Sequence, residues 1–180
     1  SYYPHTCRTN LTAGQIARIM MTILPTVIYS GSSSSSCSCE NLIVTTNTEI
    51  NTNLSYKKIE VKNNSILTIK SSIVLEENIV VDQGSKLIID GGVLTSCPNS
   101  TWQGIQAWGN PFTGQLDAVE LKNGAIIENA QIGINTSNIV AGGIFGAYFN
   151  LSGAKVISNN STIRNCGIGV NFGPYGYSGP

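Results

Sequence analysis

Two tryptophans, Trp102 and Trp108, close the two ends of the run Trp-Gln-Gly-Ile-Gln-Ala-Trp, an even spacing that lets both indoles face one side of a single strand. Exposed there, they would form a flat platform for stacking sugar rings; buried, they would plug the interior of a β-rich core. Burial is expected of at least one, and Tyr148, Tyr175 and Tyr177 read as packing residues too. The carboxylates Asp82, Asp90, Asp117, Glu120 and Glu128 are the candidates for the acid/base pair of a glycosidase or polysaccharide lyase. That match is poor, because no histidine or arginine cluster lies near them to shift a pKa or hold a uronate. The single histidine, His5, stands in a proline-flanked loop, and no HExxH, G-x-S-x-G, P-loop or Rossmann fingerprint is present. By its own residues the chain assembles no zinc site.

What would position these residues is a repeat. Lys58–Glu77, KIEVKNNSILTIKSSIVLEE, aligns without gaps on Asn78–Cys97, NIVVDQGSKLIIDGGVLTSC, at a period of twenty. The alignment matches Ile59 with Ile79, Val61 with Val81, Leu67 with Leu87, Ile69 with Ile89 and Ile73 with Val93. Each unit holds three short apolar runs between Asn, Gly, Ser or charged corners. Such runs are too short for a free sheet, but stacked turn on turn each pairs with its counterpart one coil away. The fold expected is all-β: a right-handed parallel β-helix, a three-sided solenoid, over residues 41–180. Lys62 should sit over Asp82 and Lys70 over Asp90 at successive corners, giving modest help to the register.

The pattern resumes after Pro98–Thr101. Ile127–Asn135 corresponds to Ile163–Asn171, which puts Cys166 in the place of Ala130 as a small filler. Asn129 and Asn165 then fall at equivalent corners, where an asparagine ladder could bond to turn backbone. The 36-residue offset leaves room for one coil plus an inserted strand or loop around 139–149.

Ahead of the repeats, Thr12-Ala-Gly-Gln15 forms a capping box, and Ile16, Ile19, Met20, Ile23 and Leu24 share one helical face. One short α-helix is predicted over about 12–24, ended by Pro25. The Ser-rich run within 30–40 reads as a linker. Lysine plus arginine and aspartate plus glutamate are equal at ten each, so no basic field attracts nucleic acid or anionic lipid. Charged residues are only 11%, with polar uncharged residues in their place, as in extracellular β-rich modules. The longest apolar stretch, Ile16–Ile28, contains Arg18 and Pro25 and is too short to span a bilayer. Five cysteines, Cys7, Cys37, Cys39, Cys97 and Cys166, lack zinc-knuckle or redox spacing. Disulfides from Cys37 or Cys39 to Cys7 or to upstream cysteines suit an oxidising compartment, and free buried thiols are the equal alternative. A start at Ser-Tyr-Tyr without initiator methionine predicts a piece of a longer, secreted chain.

The opening Ser1-Tyr2-Tyr3-Pro-His-Thr-Cys7-Arg8, followed by Leu11-Thr-Ala-Gly-Gln15-Ile-Ala-Arg18-Ile-Met20, resembles the end of the catalytic domain in pappalysin/cytophagalysin zinc metalloproteases. There an N-x-M-x-Y Met-turn leads to a cysteine and an F-T-x-G-Q-x-x-R-M helix. The resemblance implies that residues 1–29 are the C-terminal remnant of such a domain, with Tyr2 at the Met-turn tyrosine that steadies the tetrahedral intermediate near zinc. Leu11 replaces the family's aromatic, and the zinc-binding HExxHxxGxxH is absent, so the cofactor zinc and the protein substrate belong to the parent and this chain is expected to be inactive. Downstream, Gly84–Gly92 and Trp102–Gly109 are similar to β-helix modules of secreted and cell-surface Bacteroidetes proteins, many exported by type IX secretion. The expectation is a secreted metalloprotease fragment whose β-helix serves adhesion or targeting to a glycan or cell surface. The alternatives are an adhesin or carbohydrate-binding β-helix without protease activity, and a polysaccharide lyase or glycosidase.

Overall fold

The computed structural model describes residues 37, 40–109, 117–137, 139–141, 148–150 and 152–173, all within the compact unit Ser35–Pro180. The helix expected at 12–24, most of the linker at 30–40, Tyr2, His5, Cys7, Cys39, Tyr175 and Tyr177 lie outside the described residues, as does the side chain of Tyr148.

Among the described residues the fold is all-β, and its strands visit three parallel sheets in rotation. The first coil is β1 (Asn41–Val44), β2 (Thr48–Ile50) and β3 (Leu54–Tyr56). Next come β4 (Lys58–Val61), β5 (Ile66–Ile69) and β6 (Ser72–Leu75), then β7 (Asn78–Val81), β8 (Lys86–Asp90) and β9 (Val93–Ser96). The fourth coil is β10 (Gly104–Ala107), β11 (Asp117–Lys122) and β12 (Ile126–Glu128). The fifth runs from β13 (Ile132–Asn135) through an antiparallel hairpin, β14 (Ile139–Ala141) with β15 (Tyr148–Asn150), to β16 (Lys155–Ser158) and β17 (Thr162–Arg164). β18 (Ile168–Asn171) begins a sixth.

The first sheet is ordered β1-β4-β7-β10-β13-β18, the second β16-β11-β8-β5-β2 and the third β17-β12-β9-β6-β3. Such ordering is consistent with a parallel β-helix. The room expected between β13 and β16 is taken by the β14–β15 hairpin.

Burial follows the period of two that a strand imposes. In β4, β5 and β6 alternate residues are buried, and their partners point outward. Buried ladders result: Ile59, Ile79, Ile105 and Ile134 in the first sheet, Leu67, Leu87 and Val119 in the second, and Ile73, Leu94 and Ile127 in the third, all at 0% exposure. Each fully buried aliphatic side chain contributes about 1.5–3 kcal/mol, so these ladders hold the stack together. Corners are turned largely by asparagine, the residue best suited after glycine to the left-handed region. Asn63, Asn64, Asn99, Asn123, Asn129, Asn160 and Asn165 all have positive φ.

The twenty-residue register holds for Ile59 over Ile79, Val61 over Val81, Leu67 over Leu87 and Ile69 over Ile89. It slips by one in the third sheet, where Ile73 pairs with Leu94 and not with Val93. The extra residue is absorbed at Gly91-Gly92. Gly91 has φ +71, and a Cβ on Gly92 would stand 2.9 Å from the carbonyl oxygens of both Ile69 and Ser71. The slip keeps Leu94 in the core, because a one-residue shift exchanges inner and outer faces.

Lys62 stacks on Asp82 and Lys70 on Asp90 as expected, but among the described residues neither stack closes as an ion pair, and the asparagine rung falls at another corner. Lys62 forms its ion pair with Glu60 of its own coil at 2.5 Å, and Lys70 pairs with Glu49 of the coil before at 2.8 Å. A lysine stem reaches several positions, and outward carboxylates already stood within that reach. An asparagine rung exists, but at Asn171 and Asn135, whose side chains bond at 3.1 Å. Asn129 instead donates to Thr95 Oγ1 at 3.0 Å.

Cys37 is disulfide-bonded to Cys97, a pairing that the sequence reading did not contain. Cys166 is a free thiol, packed half-buried against the core at the corner equivalent to Ala130.

Candidate functional site

The two tryptophans part company. Trp102 is fully buried, its indole N–H donates to the carbonyl of Glu128 at 2.9 Å, and its backbone bridges Ala130, whose small side chain leaves room for the ring. With no exposed surface, Trp102 cannot present a face to a sugar. Trp108 is half-buried and follows directly on β10. A shared platform of two indoles is therefore not formed.

What Trp108 joins instead is a column at the corner between the first and second sheets. Its N–H donates to Val81 O, as that of Asp82 donates to Val61 O and that of Lys62 to Val44 O, each at 2.8–2.9 Å. Trp108 thus stands one coil above Asp82, and Asp82 one coil above Lys62, at the strand spacing of about 4.8 Å. Trp108, Asp82, Gln83, Asn63 and Asn64 line an open groove of about 400 Å³. Its floor is shaped by close packing between coils. A Cβ on Gly84, which has φ +80, would lie 2.1 Å from Asn64 Oδ1, so only glycine lets the Asn64 amide tuck beneath the corner above.

The electrostatics single out Asp82. Partial burial pushes its carboxyl above the usual range, the Lys62 ammonium pulls the other way, and Glu60 adds to the rise. Among the described residues no ion pair closes on Asp82, because Lys62 is drawn to Glu60. Trp108 has an unmet need of its own: its indole Nε1 is buried with no acceptor among the described residues. An orphaned donor of this kind costs about 1–3 kcal/mol.

The other carboxylates are committed elsewhere. Glu120 lies 2.6 Å from Lys86 and 3.6 Å from Lys122, and the hydrogen bond from Lys86 above all holds its pKa low. Asp90 accepts from Asn123 at 2.6 Å and sits 4.0 Å from Lys122. Glu128 is held by Arg164 at 2.8 Å. Asp117 opens β11. The structure does not bring Glu120, Asp90 or Glu128 to Asp82 as a facing pair, and the side chain of Asp117 lies outside the described residues.

Sequence reasoning singled out Trp108 and Asp82 separately and missed Asn63, Asn64 and Gln83 as their neighbours. The signal lay in matching NIVV of β7 to GIQA of β10, which pair Val81 with Ala107 and so Asp82 with Trp108. No group of three His, Cys, Asp or Glu among the described residues could hold a metal ion, and among them no helix is long and apolar enough to cross a membrane. Comparison of the chain with protein-family models, with curated proteins and with solved structures gives no match.

Proposed function

We propose that residues 41–173 wind as a right-handed, three-sided parallel β-helix that serves an extracellular protein as an adhesion or targeting module and does no chemistry itself. The observation that carries this reading is the commitment of Glu120, Asp90 and Glu128 to ion pairs and hydrogen bonds along the stack, while aromatic and amide side chains gather at one open corner. Right-handed winding follows from the strong preference of parallel crossover connections. The Cys37–Cys97 bond supports an oxidising, secreted or cell-surface setting, as suits cargo of type IX secretion.

In the parent, this reading attaches the module to a pappalysin/cytophagalysin-like zinc metalloprotease and holds the enzyme near its protein substrate. Its support is the Ser1–Met20 motif, with Tyr2 in the Met-turn position. The zinc ligands are not in this sequence, so zinc chemistry belongs to the parent's other residues. A second reading, a carbohydrate-binding β-helix or adhesin without protease, is favoured by the groove at Trp108.

The coding sequence ahead of Ser1 tests the parentage: HExxHxxGxxH shortly upstream supports the protease, and an open reading frame without it leaves the binding module alone. For the module, the chain is expected to co-sediment with insoluble polysaccharides or intact cells and to release no reducing ends. Release of reducing ends would overturn the non-catalytic reading.

A further inference from the structure

We propose that the corner groove is a binding subsite for a neutral saccharide, one ring lying against Trp108 with its hydroxyls bonded to Asp82 and the amides of Asn63, Asn64 and Gln83. This inference rests on the module being a binding module and names the ligand class of its groove.

Four observations point to that ligand. The lining combines one indole with a carboxylate and three primary amides, and among the described residues no aliphatic side chain takes part. An indole face matches the apolar C–H face of a pyranose, while amides both donate and accept, as hydroxyls do. Asp82 contributes an acceptor that no lysine closes off, and a hydrogen bond to an ionised group is among the stronger ones available. Finally, the buried indole N–H lacks an acceptor among the described residues. A small turn of the ring toward the groove would let a ligand oxygen accept from it, whereas a cationic ligand could not meet that need. An anionic ligand would face Asp82 while the nearest ammonium, Lys62, is engaged by Glu60.

The coil spacing gives the groove its direction. Asn63 and Asn64, Gln83 and Asp82, and Trp108 belong to three successive coils, so the lining runs along the stack axis over about 10 Å. That length accommodates about two sugar rings. Trp102 is fully buried on another corner and takes no part.

The test uses the chain as it stands, titrated by calorimetry with neutral hexasaccharides of glucose, mannose, galactose and N-acetylglucosamine. Oligogalacturonate and oligolysine serve as charged comparators. Tryptophan fluorescence is followed in parallel, because of the two indoles only Trp108 is near the ligand. Saturable binding of at least one neutral sugar is expected, with a change in emission. W108A should weaken it at least tenfold, W108F by less, and D82N by about tenfold, the loss of one hydrogen bond to a charged acceptor. D82N is nearly isosteric and W108F keeps an aromatic ring, so these two decide the question if W108A fails to fold by circular dichroism. Binding of only the charged comparators, or of none of the probes, overturns the proposal. Neutral-sugar binding unchanged in both D82N and W108F also overturns it, by placing the subsite elsewhere. If the wild-type chain still co-sediments with cells or polysaccharides in that case, the adhesion reading stands without this groove; if it does not, both fall.

Discussion

Cys37 and Cys97, 60 positions apart, are joined by a disulfide with their Cα atoms 5.9 Å apart. The bond ties the segment ahead of β1 to the corner after β9, so the closed loop holds the first three coils. Loop-closure entropy for such a span corresponds to about 4 kcal/mol. Cys97→Ser, or reduction, is expected to lower the melting temperature by about 10 °C while leaving the far-UV circular dichroism at 20 °C unchanged. Non-reducing peptide maps should recover the two cysteines in one linked species. A Cys37 peptide linked to Cys7 instead would refute the pairing.

The register slip at Gly91-Gly92 gives a sharper test of the stack. Inserting one glycine after Gly92 adds a further residue to this corner and forces either Val93 into the place of Leu94 or β9 off its neighbours. The expected loss is about 3 kcal/mol or more, since a fully buried leucine leaves the core. Gly92→Ala should cost about 1–3 kcal/mol, because its Cβ would press on two carbonyl oxygens at 2.9 Å. Urea unfolding midpoints measure both. An insertion variant as stable as the parent chain would show that the corner absorbs a further residue without moving Leu94.

Much of the stack was legible because the interior imposes a period of two on each run and a period of one coil on the whole. Ile59, Leu67 and Ile69 find their partners by sequence alone for that reason. What was not legible depends on coil length or on side-chain choice. The Val93 match failed since glycine at a corner carries no apolar signal by which an insertion could be seen. Trp108 over Asp82 was hidden because the offset grows from 20 between Ile59 and Ile79 to 26 between Ile79 and Ile105. Lys62 stacks on Asp82 yet closes on Glu60, because Glu60, two residues back on the same outward face, competes with the carboxylate one coil away. Corner cysteines give no spacing rule, so Cys37–Cys97 required the coils to be counted first.

Trp102 is the fixed point of the long corner between β9 and β10. Trp102→Ala should cost about 3–5 kcal/mol through the cavity left beside Ala130. Trp102→Phe keeps most of the apolar volume and loses the hydrogen bond to Glu128 O, a smaller loss of roughly 1–2 kcal/mol. Neither change should alter neutral-sugar affinity beyond about twofold once folding is confirmed, whereas Trp108→Ala should abolish most of it. Equal effects of the two tryptophans on binding would contradict the division of roles between them.

The acid response should separate the ion-pair ladder from the groove. Glu60 is held low by hydrogen bonds from Lys58 and Lys62, and Glu120 by Lys86 first and Lys122 after. A carboxylate with a lowered folded-state pKa contributes stability above its unfolded value, and that contribution is lost as pH falls through the folded one. Melting temperature should therefore drop as pH is taken from about 5 to about 3, and Glu120→Gln should make the drop shallower. Asp82 has the opposite sign. Its pKa is raised, chiefly by burial, so the ionised form is disfavoured in the fold and stability is gained as pH falls through that value. Asp82→Asn should raise the melting temperature near neutrality and have no effect near pH 3, where the carboxyl is protonated in both states. Thermal melts of the two variants across this range would show slopes displaced in opposite senses. A stabilising effect of Asp82→Asn that persisted at the acid end would mean that the gain comes from packing and not from the buried charge.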